Sequence, residues 1–376
     1  MKYFLYKAPD GDVTKEAKVS ALGFGGMRFP RNENDEIDIT AAEALIDRAY
    51  EAGVNYFDTA YPYHKGKSEG FFAKALAKYP RSSYYLADKM PGWLIKVPED
   101  TERIFNEQLE RCGTEYFDFY LCHALSEKAY ARIKEFGVLD FLDRMKKEGK
   151  IKRLGFSFHD TPEALEAILS DRYWDFAQIQ YNYLDYTMQR AKEQVEALNR
   201  HNVPFLIMEP VRGGALAKLP EKAEALLKET APSASAASHA MRFAMSANGV
   251  LCVLSGMSDN NALSDNIATA DSFAPINAAE HATLQKTAEI IISCRMLPCT
   301  ECRYCDGCPA GINIPEILKS YNRYMSTENK AQLKSEMEEA PARPSACISC
   351  KACTSACPQH IDIPAAMEKL AKLTEK

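Results

Sequence analysis

Short apolar runs alternate with helix-like segments along residues 19–266. The runs have the length of β-strands, and in the segments between them apolar residues recur every three or four positions. The runs predicted as strands are residues 19–25, 55–60, 84–90, 116–124, 151–157, 176–182, 204–210 and 249–256. The segments predicted as helices include residues 41–52, 101–112, 139–148, 162–169 and 190–200. This alternation predicts parallel β/α units.

The number of units favours a closed barrel over an open sheet. Eight units in about 250 residues match the size of an α/β fold of the (β/α)8 TIM barrel type. An open doubly wound sheet is the alternative, but its G-x-G-x-x-G signature is missing. Gly23, Gly25 and Gly26 have a different spacing, and Pro30 follows where a helix should begin. We therefore predict a TIM barrel in residues 1–280.

Polar residues stand where successive predicted strands stop. They are Asp58, Lys89, His123, Ser157, Gln178, Gln180, Asn182, Glu209, Ser255 and Ser258. In TIM barrels the C-terminal ends of the strands carry the active site, so this pattern predicts a site at one end of the barrel. Solvation of strand ends by polar residues is the structural alternative.

Eight of the 12 cysteines form two closely spaced runs near the C-terminus. The first run, followed by Pro309, consists of Cys299, Cys302, Cys305 and Cys308. The second run, followed by Pro358, consists of Cys347, Cys350, Cys353 and Cys357. The second spacing, C-x2-C-x2-C-x3-C-P, is the one by which bacterial-type ferredoxins hold 4Fe-4S clusters. We therefore predict a small α-rich, ferredoxin-like iron–sulfur domain in residues 281–376.

Paired runs of this kind exchange their fourth ligands, so we predict two crossed sets. One 4Fe-4S cluster would take Cys299, Cys302, Cys305 and Cys357, and the other would take Cys347, Cys350, Cys353 and Cys308. Zinc is an alternative, but two C-x2-C pairs would satisfy it and leave two runs of four unexplained. Disulfides are a weaker alternative, because nothing marks the chain as secreted.

Composition limits the classes of partner. A chain of 376 residues with 46% hydrophobic content can bury a large core. Its formal net charge of −6 provides no basic surface for nucleic acid or an anionic membrane. The N-terminal residues lack the apolar core and cleavage site of a signal peptide, and no apolar run is long enough to span a membrane. We expect a cytoplasmic protein without nucleic-acid or membrane partners.

The segment FDTAYPYH, residues 57–64, contains Asp58 and Tyr63, and the next two predicted strands end in Lys89 and His123. These four residues match in order the Asp, Tyr, Lys, His tetrad of the aldo-keto reductase family, which residues 19–266 therefore resemble. With its cysteine-rich tail, the whole chain resembles the aldo-keto reductases that carry a C-terminal ferredoxin-type domain. The resemblance implies an NAD(P)-dependent oxidoreductase acting on a small carbonyl or alcohol.

The chemistry of carbonyl reduction explains why such a tetrad is needed. Hydride transfer builds negative charge on the carbonyl oxygen, which requires a proton donor and an electrostatic stabiliser. We predict Tyr63 as the general acid, Lys89 as the stabiliser of its phenolate, and Asp58 as the partner that keeps Lys89 charged. His123 would orient the substrate oxygen. Taken singly, each residue also has an ordinary structural explanation.

The resemblance extends less completely to the cofactor site. Ser157 and Gln178 match residues that hold the nicotinamide amide, but Phe158 stands where the family has Asn, and Met208 replaces an aromatic stacking residue. The other predicted cofactor residues are Arg212, Gly213 and Gly214 near the pyrophosphate, and Ser255, Gly256, Ser258 and Asn266 on the adenine side. No Lys or Arg lies within residues 243–285, so the sequence leaves NADP and NAD both open.

The two halves of the chain handle electrons differently, because a nicotinamide delivers two at once and each cluster passes one. We expect the clusters to exchange electrons with a redox partner protein or with a bound flavin. The alternative function is an electron-transfer protein that docks a redox partner without reducing carbonyls, and a third possibility is that the clusters are purely structural. Phe29, Tyr61, Trp93 and Tyr183 either line the pocket mouth or pack the barrel rim.

Overall fold

The computed structural model describes residues 1–9, 11, 16–294 and 296–374. The predicted C-terminal limit at residue 376 lies outside the described residues. The chain forms two compact units. The first comprises Met1–Val211 and Ala237–Asn277, and the second comprises Arg212–Ala236 and the chain from Ala278 onwards. Among the described residues, no helix is both long and apolar enough to cross a membrane.

The first unit is built around a closed parallel barrel. The strands are β1 Tyr3–Tyr6, β2 Ala17–Ser20, β3 Leu22–Gly25, β4 Tyr56–Asp58, β5 Tyr85–Met90, β6 Phe119–Leu125, β7 Leu154–Phe158, β8 Phe176–Gln180, β9 Phe205–Met208 and β10 Val250–Ser255. Strands β3 to β10 pair in sequence order, and β10 closes the barrel against β3. The predicted TIM barrel is confirmed, and each of its eight strands overlaps a predicted run.

An N-terminal hairpin corrects the prediction for residues 19–25. That run contains two elements, because β2 ends at Ser20 and the barrel strand β3 begins at Leu22. Strand β2 pairs antiparallel with β1, which the sequence pattern did not predict. Tyr6 and Val19 of the hairpin share an apolar cluster with residues at the starts of barrel strands, including Tyr56 and Phe119. The hairpin therefore packs against the N-terminal end of the barrel, away from the predicted site.

Helices follow the barrel strands and make up most of the second unit. They are α1 Ile39–Glu51, α2 Ser68–Leu76, α3 Glu99–Arg111, α4 Glu127–Glu135, α5 Val138–Lys147, α6 Pro162–Asp171, α7 Asp185–Met188, α8 Ala191–Arg200, α9 Glu221–Thr230, α10 Ala236–Met245, α11 Asn260–Asp271, α12 Ala278–Ser293, α13 Ile314–Thr327, α14 Lys330–Glu339, α15 Ala352–Ala356 and α16 Ile363–Thr374. Helix α1 illustrates the local rules: Asp38 caps its first turn by accepting from the Ala41 N–H, and Leu45 and Ile46 face the core.

The second unit begins earlier than the predicted boundary at residue 281 and includes a segment from within the barrel sequence. Residues 212–236 belong to it because α9 packs against α12, and because Gly213 contacts the backbone of Thr300. These are contacts between residues far apart in sequence, so hydrophobic periodicity could not show them.

The core of the second unit is apolar and helical. Helices α13, α14 and α16 bury a cluster that includes Leu318, Tyr321, Leu333 and Met367. Cysteines of both runs pack against this cluster at its edge. The unit is therefore α-rich, as predicted, and its cysteine loops rest on a hydrophobic core of their own.

Candidate active site and iron–sulfur sites

The four residues predicted as a catalytic tetrad lie together at the C-terminal end of the barrel. The Lys89 ammonium donates hydrogen bonds to Asp58 Oδ1 at 2.6 Å and to the Thr59 carbonyl at 2.7 Å. Its Nζ also lies 3.4 Å from Tyr63 Oη. The Lys89 and Asp58 side chains are almost completely buried. Their ion pair is therefore shielded from water and points the ammonium at the tyrosine hydroxyl.

Tyr63 is held by a tight turn. It begins a 3-10 turn over Tyr63–Gly66 in which His64 and Lys65 have left-handed φ values of 50° and 57°. Such conformations are strained for residues other than glycine and persist where surrounding contacts hold them. One such contact is the His64 Nε2 atom, which accepts from the Phe29 N–H at 3.3 Å. The strain lies directly beside the predicted general acid.

His123 is directed into the site by an irregularity in β6. The register of β6 against β7 shifts between Cys122 and Leu125, and Ala124 has a left-handed φ of 53°. The Ala124 N–H donates to Ser157 Oγ at 2.7 Å. A bulge of this kind re-aims a side chain, and the His123 ring here lies 6.0 Å from the Tyr63 ring, centre to centre.

Burial sets the charges of the tetrad. Burial lowers the pKa of His123 well below its usual range, and the positive charge of Lys89 adds to that effect. The imidazole is therefore neutral at physiological pH and can donate an N–H to a substrate oxygen. Burial raises the pKa of Asp58, while the Lys89 ammonium opposes the shift and favours the carboxylate.

The aromatic residues near the site divide into two groups. The Trp93 ring lies 5.0 Å from the His123 ring and is 45% exposed, so it borders the tetrad from the solvent side. Tyr183 is fully buried and packs edge-on against Phe243. Trp93 therefore fits the pocket mouth, whereas Tyr183 packs the interior.

The residues predicted to hold the nicotinamide amide lie on adjacent strands, β7 and β8. Gln178 Nε2 donates to Met208 Sδ at 3.6 Å, which fixes the orientation of the amide. Its Oε1 atom is buried, and no donor among the described residues reaches it. Ser157 Oγ accepts from the Ala124 N–H. A carboxamide N–H of a nicotinamide would satisfy the Gln178 oxygen, so these residues fit the cofactor.

The predicted adenine-side residues lie at and beyond the end of β10. Asn266 on α11 donates through Nδ2 to Ser255 Oγ at 3.0 Å, and both side chains are buried. Ser258 is exposed. Gly256 faces the Arg28 side chain so closely that an added Cβ would meet three of its carbons at 2.8–2.9 Å. With Arg28 in this conformation, position 256 has no room for a side chain larger than that of glycine.

Arg28 is a site residue that sequence reasoning missed. It follows β3, and its Nη2 atom makes an ion pair with Glu209 Oε1 at 2.9 Å. Glu209 has a left-handed φ of 55° directly after β9. Residues 243–285 contain no Lys or Arg, but barrel closure places the loop after β3, which carries Arg28, beside the loop after β10. The predicted barrel already implies that these two loops are close, because the first and last strands of a closed barrel are neighbours.

Two polar residues at strand ends have a structural role. Gln180 and Asn182 both donate to Asp185 Oδ2 at 2.7 Å, and Asn182 also donates to the Glu209 carbonyl at 3.0 Å. These buried hydrogen bonds fix the start of α7. The structural explanation of strand-end polarity therefore accounts for these two residues.

The predicted pyrophosphate loop, Arg212–Gly214, lies in the second unit. Gly213 has a φ of 64°, and an added Cβ would lie 2.2 Å from the Thr300 carbonyl oxygen. Arg212 is buried. In this structure the glycine is required by its close approach to the first cysteine loop, which is a different reason from the approach of a pyrophosphate.

The eight clustered cysteines fall into two groups in space. Cys308 lines one pocket, partly open to solvent, together with Cys347, Cys350 and Cys353. In the other group, burial raises the pKa of Cys305 to about 12, and the neighbouring thiols of Cys302, Cys299 and Cys357 contribute to the shift. The fourth cysteine of each run thus lies with the first three of the other run. Two sets of four thiols fit 4Fe-4S ligation.

Family comparisons agree with this arrangement. Residues 21–289 match the model of the aldo/keto reductase family. The chain belongs to the aldo/keto reductase family. Residues 298–361 of this aldo/keto reductase match the model of the 4Fe-4S dicluster domain. The match supports iron–sulfur cofactors in the second unit and the function of an oxidoreductase.

Individual relatives are distant and often matched only in part. L-galactose dehydrogenase from Arabidopsis thaliana is 33% identical over 37% of this chain and 45% of its own length. The match to this chain thus covers less than half of the length of the plant relative. The NADH-specific methylglyoxal reductase of Escherichia coli is 27% identical over 54% of this chain and 67% of its own length.

Solved structures share the fold. The holo form of an aldo-keto reductase from Bacillus halodurans has a TM-score of 0.62 and 26% sequence identity, covering 76% of this chain and 96% of its own. An aldo-keto reductase from Klebsiella pneumoniae in complex with NADPH has a TM-score of 0.60 and 19% identity, covering 76% of this chain and 95% of its own. The second likeness shows the fold alone.

Proposed function

We propose that this chain reduces a small carbonyl compound with NADH or NADPH, or catalyses the reverse oxidation, and that Tyr63 is its general acid. The observation that carries the proposal is the buried Lys89 ammonium, which lies 2.6 Å from Asp58 Oδ1 and 3.4 Å from Tyr63 Oη. An ammonium in this position stabilises the tyrosinate that remains after proton donation. Asp58 keeps the ammonium charged in a site that excludes water.

Each side chain has a separate role in the proposed reduction. When bound, NAD(P)H supplies the hydride to the carbonyl carbon. Tyr63 Oη donates a proton to the carbonyl oxygen, which becomes the hydroxyl group of the alcohol, and solvent later returns a proton to the tyrosinate. The neutral His123 imidazole donates a hydrogen bond to the same oxygen and orients it toward Tyr63.

Nucleotide binding draws on residues at the strand ends. We propose that the buried Gln178 oxygen accepts a hydrogen bond from the nicotinamide carboxamide, with Ser157 beside it and Met208 covering one ring face. Arg28, now paired with Glu209, is a cation positioned over Gly256 that can take a phosphate oxygen. Gly256, Ser255, Ser258 and Asn266 remain the proposed adenine-side residues, and Arg212, Gly213 and Gly214 the proposed pyrophosphate loop. The proposal covers both NADH and NADPH as the bound nucleotide.

The second unit would hold two 4Fe-4S clusters on crossed ligand sets. We assign Cys299, Cys302, Cys305 and Cys357 to one cluster, and Cys347, Cys350, Cys353 and Cys308 to the other. Such clusters transfer single electrons, and the proposed counterpart is a redox partner protein. A flavin has no support among the contacts of the described residues or the matched families, and the proposal does without one.

The dicluster match also favours a second candidate, an electron-transfer protein whose barrel docks a redox partner and reduces no carbonyl. The two candidates differ in what they require of Tyr63. A carbonyl reductase needs the proton of its hydroxyl, whereas a docking surface has no use for it.

Replacing Tyr63 by Phe tests the proposal. We expect Tyr63→Phe to lower kcat for carbonyl reduction about 100- to 10,000-fold, because the proton donor is lost, with nucleotide affinity unchanged. Substrates would include methylglyoxal, on which the Escherichia coli relative acts, and a panel of aromatic and aliphatic aldehydes. The measurement is oxidation of NADH or NADPH followed by absorbance.

Tyr61→Phe provides a matched control. The Tyr61 hydroxyl donates to Glu107 Oε2 at 2.8 Å, away from the Lys89 ammonium, so this variant should keep its activity. Equal activity in Tyr63→Phe and Tyr61→Phe would exclude Tyr63 as the acid. No reduction of any aldehyde by the wild-type protein, with nucleotide bound, would favour the electron-transfer candidate.

A further inference from the structure

Two buried carboxyl groups lie behind the strand that carries Lys89, and the proposed chemistry does not use them. Asp88 precedes Lys89 on β5, and because side chains alternate along a strand it points outward, toward the helices. Glu69 is in the first turn of α2, which begins directly after the turn that holds Tyr63. Both residues are completely buried. Asp88 is thus on the strand that carries Lys89, and Glu69 is on the helix that follows the turn of Tyr63.

The contacts of this pair include few donors. The carboxyl groups of Asp88 and Glu69 are in hydrogen-bonding contact with each other. Asp88 Oδ1 accepts from the Lys89 N–H at 2.8 Å, and its Oδ2 lies 3.7 Å from the Cys112 thiol. Glu69 Oε2 accepts from Arg111 Nη1 at 3.1 Å, and the Gln108 side chain also contacts the Glu69 carboxyl group. Among the described residues, no nitrogen or hydroxyl donates to Glu69 Oε1, although that atom is buried.

A proton shared by the two carboxyl groups would supply the missing hydrogen-bond donor. Two buried carboxylates face one guanidinium, that of Arg111, and like charges at hydrogen-bonding distance cannot both be retained. Burial, followed by the negative charge of Glu69, raises the pKa of Asp88 well above its usual range, and the Lys89 N–H and the charge of Lys89 oppose that shift. Burial also raises the pKa of Glu69, and Arg111 opposes that shift. A neutral Asp88 that donates to an ionised Glu69 satisfies both groups.

The surroundings of the pair connect it to the catalytic strand. Besides Glu69 and Lys89, the titratable groups near Asp88 in the described part of the chain include Cys112 and Tyr120, and burial raises the pKa of both, so each stays neutral. The Tyr120 hydroxyl donates to Gln108 Oε1, and Gln108 Nε2 donates to the Lys89 carbonyl at 3.0 Å. The backbone of Lys89 is therefore held at its N–H by Asp88 and at its carbonyl by Gln108.

We propose that Asp88 and Glu69 share one proton and act as a positioning pair that ties the Lys89 strand to the helix following Tyr63. The pair touches neither substrate nor cofactor, so its effect on catalysis passes through Lys89 and Tyr63. That catalytic part rests on the proposed function, whereas the shared proton does not.

The shared proton is tested by infrared spectroscopy and by stability. We expect the protonated-carboxyl band of the wild-type protein at neutral pH to disappear in Asp88→Asn. We also expect it to disappear in Glu69→Gln, where the amide donates to an ionised Asp88. Either variant suffices if the other fails to fold. Persistence of an unchanged band in both would exclude the shared proton.

The pH dependence of unfolding gives an independent measure. A carboxyl group whose pKa is raised in the folded protein stabilises it at low pH, and that stability is lost as pH rises through the folded pKa. Asn at position 88 does not titrate, so Asp88→Asn should gain thermal stability relative to wild type as pH rises from mildly acidic to alkaline. A constant difference across that range would contradict the proposal.

Asp118→Asn is the matched control, because it makes the same substitution at another buried aspartate. Asp118 is also buried in the barrel, between β5 and β6, but its Oδ2 lies 2.7 Å from Arg81 Nη2 and accepts from the Leu86 N–H at 3.0 Å. Burial raises the pKa of Asp118 as well, but Arg81 and the Leu86 N–H oppose that shift and favour the carboxylate. Its carboxylate has donors, so the same substitution should lower Tm at neutral pH. A similar loss of Tm in Asp88→Asn would show that Asp88 is an ordinary ionised aspartate.

The positioning role has its own readout. We expect Asp88→Ala to lower kcat about 10- to 100-fold with little change in KM for nucleotide, and Asp88→Asn to restore most of it, because the amide still donates to Glu69. An unchanged kcat in Asp88→Ala, or a kcat that Asp88→Asn does not restore, would overturn the positioning role. If the wild-type protein reduces no carbonyl, the proposed function fails, while the infrared and stability results still decide the shared proton.

Discussion

At the scale of single residues, the decisive feature is a lysine ammonium buried between a carboxylate and a tyrosine. Removing one partner of a buried ion pair leaves an uncompensated charge, at a cost of about 3–5 kcal/mol. Lys89 and Asp58 are both almost completely buried, so each depends on the other for stability as well as for the proposed function. The same burial keeps His123 neutral.

The neutrality of His123 predicts a specific pH dependence of stability. Its folded pKa is lowered, so as pH falls below the unfolded value of about 6.5 the unfolded state binds a proton that the folded site does not. Acidification should therefore destabilise the wild-type protein by up to about 1.4 kcal/mol per pH unit from this residue. His123→Gln should lose part of that dependence, measured as the free energy of unfolding in urea.

His201→Gln is the control for this prediction. His201 is only half-buried and pairs with Glu166 Oε1 at 2.6 Å, outside the site. This substitution should leave the acid destabilisation in place. If both variants respond to acid like the wild-type protein, His123 is not buried in its neutral form.

At the scale of elements, strained loops follow directly on the site residues. Left-handed non-glycine residues come immediately after Tyr63, His123 and Met208, namely His64, Ala124 and Glu209. Turns of this kind cannot be read from hydrophobic periodicity, because periodicity reports which face is buried and not the φ angle that ends a strand. The sequence therefore predicted where the strands stop but not how they stop.

The loop at Gly213 yields a prediction for the second unit. Gly213→Ala should destabilise this unit more than Gly311→Ala. Both glycines have similar left-handed φ values, 64° and 70°, so both substitutions incur a strain of about 1–2 kcal/mol. Only at Gly213 would the new methyl group meet a backbone carbonyl, that of Thr300 at 2.2 Å, whereas Gly311 has only an ordinary contact with Ala342.

The measurement is the temperature at which the oxygen-free protein loses its iron–sulfur absorption. A lower midpoint for Gly213→Ala than for Gly311→Ala would support the close approach of the loop to the first cysteine run. Equal midpoints would show that the carbonyl of Thr300 moves aside at little cost.

At the scale of the whole molecule, two units with different electron chemistry share one chain. Hydride transfer moves two electrons together, and a 4Fe-4S cluster accepts one. Without a group that separates the pair, NADH or NADPH should leave the visible absorption of the clusters unchanged. Dithionite should bleach it. Spectra of the oxygen-free protein, recorded after each nucleotide is added, make this measurement.

Bleaching by either nucleotide would contradict this expectation. It would require a two-to-one electron converter in the protein, such as a flavin, and the clusters would then belong to the same reaction as the barrel. An unchanged spectrum with nucleotide bound would direct attention to an external redox partner.

Much of this architecture could be predicted from the sequence because it depends on local pattern. Strand and helix periodicity predicted the barrel, and the spacing of cysteines predicted two groups of thiols. Asp58, Lys89 and His123 could be named because each lies at or near the end of a strand, and the C-terminal ends of parallel strands meet. The N-terminal hairpin was missed because β1 is a four-residue strand apart from the regular alternation.

Tertiary structure alone decided which residues from distant segments meet. Arg28 reaches Glu209 because the barrel closes, and residues 212–236 join the second unit because α9 packs on α12. Asp88 of β5 meets Glu69 of α2, a residue 19 positions earlier in the chain. The sequence by itself determined element type, strand ends and ligand spacing, since these follow from neighbours along the chain. Ion pairs, shared protons and unit membership depend on distances through space, which only the packed fold specifies.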